Sequence, residues 1–229
     1  MSNFREVFTS RHTFIAVVHV KDEAQTVRNV DLAQTNGADG VFLINHDVEL
    51  PELIRIAVKV QERFPSFWLG MNILGMSPAN ALHKLPENMG GLWTDNAGVQ
   101  EHGRSVDAET FCLNRSLLRW KGLYFGGIAF KYQNRVQDAA RAARLAIPFL
   151  DVVTTSGEGT GLAPDRHKIR RMKLAIGQHP IAIASGITPE NVSEFMEWSD
   201  CFLVATGVSD SHTELNPRRV RKLARMLSS

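Results

Sequence analysis

The chain has 229 residues, 44% of them hydrophobic and 22% charged, with a formal net charge of +2. That length buries a sizeable core, and a single domain over residues 1–229 is expected. The near-neutral balance excludes bulk attraction to nucleic acid as the main function, and Cys112 and Cys201 share no metal-binding or redox spacing. The two cysteines read as small buried hydrophobes in a reducing compartment. Met1 to Arg11 carries no secretory pattern, and no apolar run approaches the ~20 residues of a membrane span. The expected setting is the cytoplasm, without membrane insertion.

In chain order, the first apolar run is Phe14 to Val18, followed by Val41 to Ile44. Leu53, Ala57, Val60 and Phe64 then repeat at helical spacing. The runs Phe67 to Ile73 and Gly91 to Trp93 come next, and Arg104 to Trp120 has room for a fourth helix. Leu123 to Phe130 and Phe149 to Val153 are the fifth and sixth runs. A helix through Ile169, Met172 and Ile176 separates them from Ile181 to Ala184. Thr188-Pro189 pairs a capping residue with a first-turn proline and predicts a helix start there. Phe202 to Ala205 is the eighth run. Asn216-Pro217 starts a last helix through Val220, Leu223, Ala224 and Leu227.

Most of these runs are continuous rather than alternating, as in strands of a parallel sheet covered on both faces. Their starts lie roughly 21 to 32 residues apart, the size of one strand-plus-helix unit. Eight such units without a linker predict a closed (β/α)8 TIM barrel. An open doubly wound sheet would more often show Gly-x-Gly-x-x-Gly after its first strand, and none is present.

In such a barrel the residues just after each strand face the working site. Here they form a polar ring of His19, Lys21, Asn45, His46, Asp47, Asn72, Asp95, Asn96, Lys131, Thr155, Ser156, Ser185 and Thr206. The most specific signal is Thr154-Thr155-Ser156-Gly157-Glu158-Gly159-Thr160-Gly161. Its glycines let backbone amides approach an anion, and its hydroxyls add donors. Ser185-Gly186-Ile187 and Ala205-Thr206-Gly207 follow the next two runs, where barrels of this type hold phosphate. Tight turns alone would also explain any single one of these glycines. The order and combination favour a phosphate site built from Ser156, Gly157, Gly159, Thr160, Gly161, Ser185, Gly186, Thr206 and Gly207.

Lys131 ends an apolar run, where an ammonium is costly unless it faces the mouth. It reads as an anion clamp, a general acid or a Schiff-base amine, or as a lysine reaching solvent. Asp95 reads as a general base or metal ligand, or as the start of an Asx turn with Asn96. His19 and His46 offer proton transfer or metal ligation, and a lone histidine is more often structural. No His-Glu-x-x-His spacing supports zinc. The basic stretches Arg166 to Lys173 and Arg218 to Arg225 are expected to be solvated outer faces rather than a nucleic-acid surface.

Over most of its length the chain resembles the BtpA family of ribulose-phosphate-binding-type barrels. The resemblance is clearest in Asp151 to Gly161 and in Ala184-Ser185-Gly186-Ile187-Thr188-Pro189-Glu190-Asn191-Val192. Leu69-Gly70-Met71-Asn72-Ile73-Leu74 is similar to the family's strand-three motif, and Asn96 and Lys131 fall where it has an asparagine and a lysine. The chain departs from the pattern at Ile44, at Val20-Lys21-Asp22, at Tyr132 and at Val208-Ser209-Asp210. The carboxyl-terminal third is also similar to phosphoribosylanthranilate isomerase, but that enzyme's Cys and Asp pair is not recognisable.

The expected function is conversion of a small phosphorylated metabolite, a sugar phosphate or phosphoribosyl compound. Asp95, Lys131, His19 and His46 are the candidate catalytic groups, and Asn45, Asn72, Asn96 and Thr155 the candidate substrate contacts. The alternatives are a non-catalytic assembly or stability factor, which the BtpA name implies, and a sensor that binds a phosphorylated ligand without converting it. No cofactor motif is present; Mg2+ accompanying such a ligand is the one ion left open. An exposed outer helix would be the place for a homo-oligomer contact, though no diagnostic stripe marks one.

Overall fold

Each apolar run is covered on both faces, and the computed structural model, which describes residues 4–228, shows by what. In chain order the elements are α1 (Phe4–Val7), β1 (Thr13–His19), α2 (Glu23–Thr35), β2 (Gly40–Ile44), α3 (Leu50–Arg63), β3 (Trp68–Asn72), α4 (Pro78–Leu82) and β4 (Gly91–Thr94). A short antiparallel pair follows, β5 (Val99–Gln100) and β6 (Gly103–Arg104), then α5 (Val106–Leu117), β7 (Leu123–Gly127), α6 (Ala139–Ala146) and β8 (Val152–Thr155). The chain ends with α7 (Arg166–Ile176), β9 (Ile181–Ile183), β10 (Cys201–Val204) and α8 (Pro217–Leu227). The strands β1, β2, β3, β4, β7, β8, β9 and β10 close a parallel eight-stranded barrel, with β10 returning to pair with β1. The expected (β/α)8 TIM barrel is therefore present.

Successive side chains on a strand point to opposite faces, and the core divides accordingly. Ile15, Val17, Phe42, Ile44, Trp93, Leu123, Phe125, Val152, Ala182, Ala184, Cys201 and Leu203 fill the barrel. Their neighbours, among them Phe14, Ala16, Leu43, Met71, Tyr124 and Phe202, pack outward against the helices. Phe4 and Phe8 close the amino end of the barrel, with ring centroids 6.2 Å from Phe125 and 5.2 Å from Trp68 respectively. Fully burying each such ring is worth about 1.5–3 kcal/mol.

Asp22, Ser105, Asp138, Asp165 and Asn216 each accept a first-turn backbone N–H and start their helices. Thr188-Pro189 does not start one. Asn191 accepts from Thr188 N at 2.8 Å and donates to Gly186 O at 2.9 Å, which holds the segment as a turn. Only a 3-10 turn over Val192–Glu194 follows, and it already buries Val192 and Phe195. The fifth run stops as a strand at Gly127 rather than Phe130, so Lys131 lies in a loop beyond the strand end. The sixth strand is Val152–Thr155 rather than Phe149 to Val153. Among the described residues no helix is long and apolar enough to cross a membrane.

Candidate functional site

The carboxyl end of the barrel gathers side chains from all eight strand ends and the loops that follow them. His19 closes β1 and His46 stands just beyond β2. Their Nδ1 atoms are 2.9 Å apart, and their rings are nearly parallel with centroids at 4.7 Å. His212, from the loop between β10 and α8, sets its ring edge against His19 at 4.1 Å. Its Nε2 lies 3.2 Å from the carboxylate of Asp47. The three imidazoles offer ring nitrogens all within 4.8 Å of one another. Burial, then the neighbouring His212 and His46, push His19 down to about 4. Burial also lowers His46. Nothing in the local sequence of His212 marks it, because the barrel closure alone brings residues 19, 46 and 212 together.

Lys131 opens the loop between β7 and α6. Its amide donates to Ser156 Oγ at 2.7 Å and its Nζ reaches Thr160 Oγ1 at 3.4 Å. Tyr132 Oη is 3.2 Å from the same Thr160 hydroxyl. Ala129 and Tyr132 take φ of 47° and 62°, so this loop holds two non-glycine residues in the left-handed region. Lys168, which the sequence reading passed over as part of a solvated basic helix, supports the loop from beneath. From the first turn of α7 its Nζ donates to Ala129 O at 2.5 Å and Ser156 O at 2.9 Å. Burial lowers it to about 8.

Asn72 is 1% exposed, and its Nδ2 donates to Asp95 Oδ1 at 3.0 Å. Burial raises Asp95 despite that bond and the nearby charges of Lys131 and His46. Asp95 thus combines an elevated proton affinity with a fixed orientation. Asn45 accepts from Leu74 N at 2.9 Å and ties two mouth loops together. Asn96 accepts from Gly98 N at 2.8 Å in an Asx turn, leaving its side chain on the rim. Thr155 is turned outward and donates to Ala129 O at 3.3 Å. Strand alternation puts Thr154 on the inner face instead, buried with its hydroxyl unpartnered.

The glycine-rich segment folds over the ends of β8 and β9. Ser156 Oγ donates to Gly157 O, and Ser185 Oγ to Gly159 O and Leu162 O, both at 2.9 Å. Those hydroxyls hold the loop. Gly186 sits at φ 64°, and a Cβ there would fall 2.1 Å from Ala163 N. A Cβ on Gly207 would fall 1.9 Å from Ile187 O. Both glycines allow backbone to pass backbone. The N–H groups of Gly186, Ile187, Thr206 and Gly207 donate to no other described residue. These residues line a cavity of about 140 Å³ that also meets His19, His46, His212, Lys131, Thr160 and Gly161. A wider groove of about 860 Å³ lies on the side of Asn72, Asp95 and Asn96. A second, of about 1010 Å³, runs past Lys131, Ser156 and Lys168.

Fold and mouth together define a (β/α)8 barrel with a polar carboxyl-end site. Phosphoribosyl anthranilate isomerase from Thermus thermophilus is similar in structure, with a TM-score of 0.68 and 16% identity, over 94% of this chain and 98% of that one. So is (S)-3-O-geranylgeranylglyceryl phosphate synthase from Thermoplasma acidophilum in complex with its substrate sn-glycerol-1-phosphate, with a TM-score of 0.67 and 12% identity over 100% and 99% of the two chains. At these identities the likeness is one of fold. In sequence, an uncharacterised protein of Pyrococcus horikoshii is 32% identical over 82 residues, which span 34% of this chain and 31% of that protein. No family model matches the chain.

Proposed function

We propose that the barrel is an enzyme that binds a small phosphorylated metabolite at its carboxyl-end mouth, with the phosphate between the ends of β9 and β10. The observation that carries this reading is the set of four backbone N–H groups, at Gly186, Ile187, Thr206 and Gly207, that lack an internal acceptor and border one cavity. Backbone donors of this kind suit a phosphate oxygen. At about 140 Å³ the cavity takes the phosphate end of a ligand, while the remainder would extend into the groove it meets at Lys131. The compared synthase holds a glycerol phosphate, and the BtpA-like stretch over residues 151–192 points to the same ligand class.

In this reading Lys131 sets its ammonium at the cavity wall and offsets negative charge on the ligand. Asp95, raised by burial and steered by Asn72, gives or takes a proton from the neighbouring groove. Thr160 guides the Lys131 side chain, while Ser156 and Ser185 hold the loop that covers the site. Thermal melting in inorganic phosphate, sulfate and a panel of sugar phosphates tests the binding step. At 100 times its dissociation constant a ligand adds about 2.7 kcal/mol, or roughly 5–10 °C for a chain of this size. Thr206→Glu, at an exposed position, should abolish that shift by placing a carboxylate where the phosphate binds. No shift with any phosphorylated ligand, or an undiminished one in the variant, overturns the reading. Once a substrate is found, Lys131→Met should lose turnover while keeping its melting temperature; full activity would remove Lys131 from the mechanism.

A further inference from the structure

We infer that His19, His46 and His212 form a binding site for one borderline divalent transition-metal ion of the zinc type, with an open coordination position toward the mouth cavity.

Three separate elements deliver these rings: the end of β1, the loop after β2 and the loop after β10. Their nitrogens nevertheless converge within 4.8 Å. Tetrahedral coordination at the usual Zn–N length of about 2.0–2.1 Å places ligand nitrogens a little over 3 Å apart. The Nδ1 atoms of His19 and His46, at 2.9 Å, are within a few tenths of an ångström of that spacing.

The third ring carries the support that metal-binding histidines usually have. His212 Nε2 lies 3.2 Å from the Asp47 carboxylate, and an Nε2–H turned toward that carboxylate would leave the lone pair on Nδ1. The neighbouring charges divide. Asp47 and Asp95 favour a cation at this end of the barrel, whereas Lys131 opposes one. Three imidazoles do not suit Mg2+, which takes oxygen ligands and keeps its water. They suit Zn2+ and its neighbours, and three protein ligands leave a fourth position for water or a ligand oxygen. All three histidines line the cavity that also meets Gly186 and Thr206, so that position opens onto the same space.

The test uses untagged full-length protein stripped with chelator, titrated calorimetrically with ZnSO4 and followed optically with CoCl2. No phosphorylated ligand is present, so the outcome is independent of the phosphate reading. One Zn2+ per chain and the intense visible bands of four-coordinate Co2+ are expected, with Mg2+ in excess failing to compete. His46→Ala and His212→Ala, both at exposed positions and so without cost to the fold, should each weaken binding by more than about 100-fold. Asp47→Asn should weaken it by about 10–100-fold, the usual cost of losing an outer-shell partner. Absence of stoichiometric uptake overturns the inference. So does uptake that survives both histidine substitutions, since the ion would then sit elsewhere.

Discussion

Replacing Gly186 with alanine separates what this glycine does for the backbone from what its amide does for a ligand. The new Cβ would lie 2.1 Å from Ala163 N and 2.2 Å from Leu162 C, and the residue holds φ at 64°. A left-handed conformation costs alanine roughly 1–2 kcal/mol, and a methyl forced into packed backbone typically costs about 1–3 kcal/mol. A loss of about 3 kcal/mol follows, or roughly 6–12 °C in melting temperature for a chain of this size. Gly161→Ala is the matched control. It shares the positive φ, at 78°, but nothing lies within 4 Å of its Cβ, so only the conformational part, about 1 kcal/mol, should appear. Urea unfolding of both variants, with the slope of the transition compared to the parent, reads the difference. If the two lose the same stability, the segment 157–163 does not pack against Gly186 as described, and the account of the covered mouth fails.

Arg115→Met should cost about 3–5 kcal/mol at neutral pH. It removes the 2.7 Å partner of Asp151, whose side chain is 0% exposed, and leaves a buried carboxylate unpaired. Burial already raises Asp151 above the usual carboxylate range against the pull of Arg115, and losing Arg115 raises it further. A raised acid favours folding at low pH and loses that contribution as pH climbs through its folded pKa. The deficit of the variant should therefore shrink on acidification, and a deficit that grows on acidification would contradict the pairing. Lys168 carries the opposite sign. Its proton leaves the native state at about 8, below the ordinary lysine range, so its contribution to stability rises from about pH 8 upward. Denaturation of the parent and Lys168→Met at pH 7 and 9.5 should show the parent gaining on the variant; an unchanged difference would place the ammonium in solvent.

The barrel was legible in the sequence because its signal is local. Runs such as Val41 to Ile44, buried throughout, and Val220, Leu223, Ala224 and Leu227, spaced for one helical face, declare their elements without knowledge of their neighbours. Boundaries were less so. Placing the sixth strand at Phe149 to Val153 rather than Val152–Thr155 left unread which of Thr154 and Thr155 turns inward, since strand side chains alternate with a period of two. Thr188-Pro189 carries the local signature of a helix start, yet the side chain of Asn191, bonded to the backbone of Thr188 and Gly186, holds the segment as a turn. His212 and Lys168 were missed for a related reason. The value of each depends on partners, at residues 19 and 46 and at 129 and 156, that only the packing of strand ends brings near.

The seal at the amino end of the barrel also orders events in time. Phe4 and Phe8 leave the ribosome before the rings they rest on, which belong to Trp68 and Phe125, and β1 finds its second neighbour only when Cys201–Val204 has been made. Phe4 must wait, apolar and undocked, until Phe125 has been synthesised. Synthesis at about 5–20 residues per second makes that wait several seconds at least, long enough for a chaperone to meet the exposed rings before the barrel does.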